Sequence, residues 1–287
     1  MKGFTKFVTT TIVFLLMVLL LVFAVWKIVT WTRPKLCHNP NATTIVLGNS
    51  RIQFGFDDNR VEGTWNVGLN ADNYNVIYWK LKTLHRYNPQ ISKVVLEVDR
   101  ALLFNYFKAV EYKLHPYYWD AMEVSDWLSL VGNDRTLLMY PLDWVKIAYP
   151  VKSIWTPIDF KDLGIGKYSK LYRYKLDKAI KRASEKETPV FADAVFDELQ
   201  AEYLDRIVDY CQDRHLRLEF INMPSYPTDA VKYYNEVLHQ YIDRKYPQIL
   251  FHDYEFMPLP DSCYADIEHI NYRGAEALSR VLQEDLK

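Results

Sequence analysis

The chain of 287 residues carries a formal net charge of −1, and 15% of its residues are aromatic. This length allows one large domain with a sizeable core plus a further segment, and the near-neutral charge does not match nucleic acid as a partner. The three cysteines lack the spacing of a metal site. They allow at most one internal disulfide, which Cys37 and Cys263 could form in an oxidising compartment, while Cys211 is expected to be a buried thiol.

The N-terminal part contains 20 consecutive uncharged residues, from Phe7 to Trp26. As a helix this run would be about 30 Å long, which is enough to cross a bilayer. A cleaved signal peptide is the alternative, but the run is longer than a typical signal core and no small-x-small cleavage site follows it. We therefore predict a cytoplasmic tip and transmembrane anchor over residues 1–32 and a linker over residues 33–43. Basic residues flank the run on both sides, so charge hardly decides its orientation.

Residues 44–287 are predicted to form one α/β domain. Short β-branched and apolar runs alternate with longer amphipathic segments, which is typical of a parallel sheet with helices on both faces. The strands are predicted at Thr44–Leu47, Thr64–Val67, Lys93–Val98, Leu216–Ile221 and Ile249–Phe251. The main helices are predicted at Asn73–Arg86, Asp193–Arg214 and Asp229–Lys245, with a short amphipathic helix at the C-terminus. The fold class is therefore a three-layer α/β/α sandwich with a central parallel sheet.

Residues from about 100 to 190 interrupt this alternation. They contain no convincing strand, and 16 of the 71 residues from Phe104 to Tyr174 are aromatic. We interpret the region as a mostly helical insertion, either with an aromatic core of its own or with aromatic faces that stack on sugar rings or rest on a membrane. Eight Lys or Arg residues between Lys167 and Lys186 form either a solvated helix face or a patch for an anionic glycan or headgroup.

The first candidate for chemistry is Ser50. It follows the predicted strand Thr44–Leu47 after Gly48 and Asn49, so it lies at the carboxyl end of a buried strand. Open α/β sheets place their functional residues at this edge. Gly-Asn-Ser is also ordinary turn composition, so the serine needs a second signal.

The second signal is Asp266-Ile-Glu-His269, just before the C-terminal helix. A strand followed by Gly-x-Ser near one end, and Asp-x-x-His before the last helix, resembles the SGNH (GDSL-type) hydrolases over roughly residues 42–287. This resemblance implies that Ser50 is the nucleophile, that His269 is its general base and that Asp266 orients the imidazole. It also implies an SGNH or flavodoxin-like arrangement of the sheet.

The resemblance is incomplete at the site that stabilises the oxyanion. SGNH enzymes use the N–H of the nucleophile, a glycine N–H and an asparagine side chain, which here suggests Ser50 and Gly68 as the first two donors. Asp99-Arg100 stands where a Gly-x-Asn-Asp block is expected, so Asn105 or Asn70 would have to supply the third donor. Asn49 also replaces the aspartate of the named pattern.

Three further residues are predicted substrate contacts. Arg51 follows the predicted nucleophile, and Asn222 and Ser225 follow the fourth strand at the same edge, although Ser225 is more simply a turn residue. No Gly-x-Ser-x-Gly elbow, metal-binding His pair or phosphate-binding Gly-rich loop occurs in the sequence. We therefore expect neither a metal nor another cofactor.

The predicted anchor narrows the resemblance to membrane-attached SGNH-like proteins of bacterial envelopes, which include alginate O-acetylation and teichoic-acid D-alanyl transfer proteins. This resemblance implies a serine esterase or O-acyltransferase, acting on acetyl groups of a cell-envelope or exported polysaccharide. It also implies a domain outside the bacterial cytoplasmic membrane and a multi-pass O-acyltransferase as a possible partner. The alternative is a catalytically silent anchored scaffold that binds a glycan or such an acyltransferase.

Overall fold

The structure is a computed structural model that describes residues 2–103, 121–123, 125–126, 165–173, 175–178, 180 and 196–286. Most of the predicted insertion at about 100–190, including Asn105, lies outside these residues. Within them the chain contains a five-stranded parallel sheet, seven α-helices and one 3₁₀ turn.

The first helix, α1, spans Lys2–Leu36 and therefore continues into the predicted linker. Its segment Gly3–Ala24 is 22 residues long and apolar enough to cross a membrane, either as an anchor or as a signal sequence. The chain then contacts the domain through Asn88, whose Nδ2 donates to the carbonyl oxygen of Cys37 and whose Oδ1 accepts the Asn39 N–H at 2.7 Å. The segment after α1 is thus attached to the domain surface.

The predicted strands are present, with ends that differ by only a few residues. They are β1 (Thr44–Leu47), β2 (Thr64–Asn66), β3 (Lys93–Glu97), β4 (Arg217–Asn222) and β5 (Leu250–Asp253). All neighbouring strands are parallel, and their order is β2-β1-β3-β4-β5. This is the flavodoxin-like order, in which the direction of winding reverses between β1 and β3.

The helices after α1 confirm the predicted alternation. They are α2 (Ser50–Gly55), α3 (Tyr74–Tyr87), α4 (Arg100–Leu103), α5 (Glu198–Asp213), α6 (Asp229–Lys245) and α7 (Tyr272–Asp285). A 3₁₀ turn at Asp261–Cys263 precedes α7. Capping side chains fix several helix starts: Asn49 for α2, Asp197 for α5, Thr228 for α6 and Asn271 for α7.

Alternate strand residues face opposite helix layers, which confirms the three-layer sandwich. Ile45, Leu47 and Leu96 pack with α3, α5 and α6 in one buried cluster. Val46 and Val95, one position along, pack with α2 and α7 in the other. The three cysteines are buried free thiols, so the Cys37–Cys263 disulfide is not formed.

Candidate active site

The turn from β1 into α2 places Ser50 at the carboxyl edge of the sheet, next to the β1/β3 reversal. A β-carbon at Gly48 would overlap the side chains of Ile52 and Glu97, so glycine is required for this close passage. Asn49 caps α2, because its Oδ1 accepts the Arg51 N–H at 2.9 Å. Ser50 is therefore the first residue of a helix that starts within one turn of the sheet, and it is partly exposed.

The structure brings together the three residues proposed from sequence as a triad. Ser50 Oγ lies 2.8 Å from His269 Nε2, across 219 positions of sequence. His269 Nδ1 lies 2.8 Å from Asp266 Oδ1. Both ring nitrogens are thus in hydrogen bonds, one to a hydroxyl and one to a carboxylate, which is the arrangement that activates a serine.

The loop from Asp266 to His269 is shaped by Asp266 itself. Its Oδ1 also accepts the N–H groups of Glu268 and His269, each at 3.0 Å. Burial alone would raise the pKa of Asp266, but the hydrogen bonds from His269 and from these two N–H groups outweigh it and lower the pKa. Asp266 is therefore a carboxylate at neutral pH, able to hold one imidazole tautomer and to stabilise an imidazolium. Phe54 packs edge-on against the His269 ring, with 5.9 Å between the two ring centroids.

The expected oxyanion donors are only partly supported. Among the described residues no acceptor lies against the N–H of Ser50, as expected at the first position of a helix. The N–H of Gly68, in contrast, already donates to Asn66 Oδ1 at 2.8 Å, so in this conformation it does not serve the site. A β-carbon at Gly68 would lie 2.9 Å from Gln53 N, which shows that this glycine permits close packing on α2.

The two asparagines suggested as the third donor stay predictions. Asn70 is exposed, and its backbone N–H donates to Gln53 Oε1 at 2.8 Å. Asn105 lies outside the described residues. The block Asp99-Arg100 does not provide an oxyanion donor, because Asp99 accepts a hydrogen bond from Asn49 Nδ2 and Arg100 binds two glutamates.

Arg51, predicted as a substrate contact, instead lies beneath the site with a side chain that is only 3% exposed. Its Nη2 donates to the carbonyl oxygen of Met223 and lies 3.4 Å from Glu255 Oε2, and Glu97 and Asp99 are within 4 Å of the guanidinium. Burial would lower the pKa of Arg51, but these carboxylates outweigh it and raise the pKa. Arg51 therefore remains a cation inside the protein.

We call this group of side chains the edge cluster. Its members are buried or partly buried ionisable side chains at the carboxyl ends of β1, β3 and β5 and in the His269 loop: Arg51, Glu97, Asp99, Arg100, Glu255 and Glu268. Burial, followed by the neighbouring charge of Asp99, raises the pKa of Glu97 to about 8 despite the nearby Arg51. At neutral pH Glu97 is thus mainly protonated, which reduces the excess of negative charge.

Asn222 and Ser225, the other predicted substrate contacts, are also fully buried. Asn222 Nδ2 donates to Asn235 Oδ1 at 2.9 Å and to Asp253 Oδ1 at 3.0 Å. The Ser225 N–H donates to the carbonyl oxygen of Glu255 at 3.2 Å. Both residues hold together the ends of β4 and β5 and are not positioned on the surface of the site.

A short segment, residues 165–173, crosses the carboxyl edge beside the triad. The Ser169 N–H donates to the carbonyl oxygen of Gln53 at 2.9 Å, and the Leu171 carbonyl accepts the Tyr272 N–H at 3.0 Å. Arg173 Nη2 then lies 3.1 Å from Asp266 Oδ2, with a side chain that is 49% exposed. This part of the basic tract therefore contacts the triad directly.

Sequence reasoning missed the roles of Arg173, Arg100, Glu255 and Glu268. Arg100 directly follows a predicted strand, Glu268 lies within the Asp266-to-His269 motif and Arg173 lies in the basic tract, so their positions were visible in the sequence. Their contacts were not, since these depend on how distant loops meet. Among the described residues no group of three or more His, Cys, Asp or Glu side chains has an arrangement that could hold a metal ion.

Comparisons with known proteins leave the family open. A protein-family model matches residues 168–287, which is less than half of the chain. No curated protein sequence matches significantly. Among solved structures, a protein from Streptococcus pneumonia described as "a putative platelet activating factor" is similar over 94% of this chain and 99% of that chain, at 11% identity and a TM-score of 0.45. The functional assignment therefore depends on the site itself.

Proposed function

We propose that this chain is a serine esterase or O-acyltransferase of the SGNH type. The observation that carries the proposal is the continuous hydrogen-bonded chain Ser50 Oγ–His269 Nε2 and His269 Nδ1–Asp266 Oδ1, both at 2.8 Å. Residues from the two ends of one domain meet in this geometry at the edge of the sheet where ligands bind in such folds. A structural role alone does not require a partly exposed serine, histidine and carboxylate in this order.

In the proposed reaction, Ser50 Oγ attacks the carbonyl carbon of an ester while its proton passes to His269 Nε2. The ester C–O bond then breaks, the leaving alcohol takes that proton, and an acyl-serine remains. Water or a sugar hydroxyl next attacks the acyl carbon and gives its proton to His269, which passes it to Ser50 Oγ as the bond between the acyl carbon and Oγ breaks. Hydrolysis and transfer thus differ only in the acceptor. Asp266 stays a carboxylate throughout and stabilises the imidazolium at each attack.

For the substrate, we propose an acetylated cell-envelope or exported polysaccharide. The aromatic content of the predicted insertion suits sugar rings, and the basic tract that begins at Lys167 reaches the triad through Arg173, where an anionic glycan would be attracted. We further propose that α1 is retained as an anchor in the bacterial cytoplasmic membrane, with the domain on the extracytoplasmic side. A multi-pass O-acyltransferase in the same membrane is the proposed partner.

A second candidate is the catalytically silent scaffold, and one observation favours it. The Gly68 N–H is paired with Asn66, and the Asp99-Arg100 block forms buried contacts with Asn49, Glu255 and Glu268 in place of an oxyanion donor. The loss of one such donor can reduce kcat by about 100- to 1000-fold. We expect turnover that is slow by the standards of serine esterases.

The test compares acetate release from p-nitrophenyl acetate and from acetylated oligosaccharides by the full-length chain in detergent and by His269→Ala. We expect turnover by wild type, loss of turnover in His269→Ala, and retained oligosaccharide binding in both. Equal background rates with retained binding would instead identify a scaffold. A fusion of alkaline phosphatase after Lys287 tests the topology, with an active fusion expected for an extracytoplasmic domain.

A further inference from the structure

The two halves of the candidate site belong to distant chain segments. Ser50 starts α2, directly after β1, whereas Asp266 and His269 lie in a loop before α7. The 2.8 Å distance between Ser50 Oγ and His269 Nε2 depends on the position of this loop relative to the sheet. A hydrogen bond of that length tolerates little displacement. The protein therefore needs contacts that fix the loop against the edge of the sheet.

Inside the loop, the contacts are local. The Ala265 N–H donates to the carbonyl oxygen of His269 at 2.8 Å, and Tyr264 forms an isolated antiparallel bridge with Ile270. These contacts define the shape of the loop and do not define its place on the sheet. That place has to be set by contacts that leave the loop.

One such contact is buried and charged. Arg100, at the start of α4 directly after β3, has a side chain that is 3% exposed. Its Nη1 donates to Glu255 Oε2 at 2.8 Å, and its Nη2 donates to Glu268 Oε2 at 3.1 Å. Glu268 is the neighbour of His269 in the loop. A single guanidinium thus connects the end of β3, the segment after β5 and the histidine loop.

Glu255 also connects Arg100 to the serine turn. Glu255 Oε2 lies 3.4 Å from Nη2 of Arg51, the residue after Ser50. Glu268, Arg100, Glu255 and Arg51 therefore form a continuous chain of ions that runs beneath the triad from the histidine loop to the serine turn. Because Glu255 and both arginines are almost completely buried, water cannot replace these contacts when one of them is lost.

From this geometry we propose that Arg100 is a positioning residue, which holds the His269 loop against the serine turn through Glu268 and Glu255. The inference rests on the proposed esterase or transferase function. The planar guanidinium presents two donors in a fixed fork, so it sets both the distance and the direction between the two carboxylates. Loss of the Glu268 contact lets His269 Nε2 move away from Ser50 Oγ, and a displacement of about 1 Å can cost about 100-fold in rate.

The experiment uses the full-length chain in detergent and four variants. Glu268→Ala removes the acceptor at a partly exposed position, whereas Glu268→Gln keeps an oxygen that can accept from Arg100. Arg100→Lys retains the charge without the fork. Lys93→Gln is the matched control, because Lys93 pairs with Glu219 at 2.8 Å at the other edge of the same sheet and is also mostly buried.

We measure kcat and KM for p-nitrophenyl acetate, thermal unfolding, and the downfield proton resonance of the hydrogen bond between His269 Nδ1 and Asp266. For Glu268→Ala and Arg100→Lys we expect kcat to fall about 10- to 100-fold with KM changed less than about twofold, and the resonance to weaken. Glu268→Gln should keep kcat within about threefold of wild type by restoring the hydrogen bond. Lys93→Gln should lower the unfolding temperature without changing kcat or the resonance.

Several outcomes would overturn the proposal. One is an unchanged kcat and resonance in Glu268→Ala. Another is an equal loss in Glu268→Gln and Glu268→Ala, which would show that the charge of Glu268 matters and its hydrogen bond does not. A fall of kcat in Lys93→Gln as large as in Arg100→Lys would show a general effect of stability. If wild type shows no turnover, the proposed function fails, and the resonance still decides whether Arg100 positions the loop.

Discussion

Two buried glutamates on neighbouring strands show how differently the two edges of the sheet are built. Glu97 ends β3 at the carboxyl edge, Glu219 lies near the amino end of β4, and each side chain is 1% exposed. Burial acts in the same direction on both, yet the pKa of Glu97 rises to about 8 and the pKa of Glu219 is lowered. Burial alone therefore does not determine the charge of a glutamate in this protein.

The neighbours explain the difference. Hydrogen bonds from Lys93 and His252, with Arg217 nearby, outweigh the burial of Glu219 and keep it ionised. Glu97 has further carboxylates beside it at the candidate active site, where four acidic side chains share two arginines. At the amino edge the charge of Glu219 is thus balanced by cations. At the carboxyl edge the acidic side chains outnumber the arginines, which favours the protonated form of Glu97. Shifted pKa values of this kind are common at functional sites.

Removal of the buried cation from each edge should give the largest effect. Arg51→Met leaves Glu97, Asp99 and Glu255 without their shared cation, and we expect a loss of about 3–5 kcal/mol in the free energy of unfolding. Lys93→Met leaves Glu219 with Arg217 and His252 and should cost only about 1–2 kcal/mol. Denaturant unfolding of the full-length chain in detergent measures both values. Equal losses in the free energy of unfolding would contradict the proposal that the carboxyl edge depends more strongly on its buried cation than the amino edge does.

Neutralising each glutamate should produce opposite dependences on pH. The pKa of Glu97 in the folded chain is above its ordinary value of 4.5, so the folded state retains a proton that the unfolded chain releases, and stability falls between pH 4.5 and about 8. Glu97→Gln should remove this fall and be increasingly more stable than wild type across that range.

For Glu219 the dependence of stability on pH has the opposite sign. Its lowered pKa means that its ionised form stabilises the folded state above its ordinary value of 4.5, and that this contribution is lost as the pH falls through the folded pKa. Glu219→Gln should therefore be less stable than wild type at neutral pH, with a difference that shrinks in acid. Unfolding free energies at pH 4, 6 and 8.5 compare the two variants, and parallel pH curves would contradict the assignment of charges.

The smallest effect is expected from Arg173, which contacts the same loop as Arg100 but is half exposed. Arg173→Gln should change the free energy of unfolding by less than about 1 kcal/mol, because a solvent-exposed ion pair is weak and screened by salt. The same unfolding assay at low and high salt measures the difference. A loss as large as that of Arg51→Met would show that segment 165–173 is a structural part of the domain.

The sequence was sufficient to predict the elements that depend on local pattern. The β-branched and apolar run in Lys93–Val98 and the helical periodicity in Asn73–Arg86 identified β3 and α3, and the alternation of strands and helices predicted the parallel sheet. Ser50 and His269 were identified because a strand with Gly-x-Ser near one end and Asp-x-x-His before the last helix resemble the SGNH hydrolases. The pattern and its order can be found in one sequence, whereas the contact between the two residues depends on the fold.

The edge cluster could not be predicted in the same way. Arg51 and Glu255 are 204 positions apart in sequence, and their contact depends on the register of four strands and on loops that no periodicity describes. The sequence suggested that Arg51, which follows the predicted nucleophile, would contact substrate. In the structure it is buried, since several carboxylates stabilise it there. The partner of the Gly68 N–H likewise depends on the side chain of Asn66, which pattern alone does not orient.

The most direct test of the proposed chemistry is covalent labelling of the full-length chain by a fluorophosphonate, followed by mass spectrometry of its peptides. An activated serine should carry the label at Ser50, and Ser50→Ala or His269→Ala should abolish labelling while Ser225→Ala leaves it unchanged. Absence of labelling in a folded wild-type chain, or labelling at Ser225 that persists in Ser50→Ala, would contradict the assignment of Ser50 as the nucleophile.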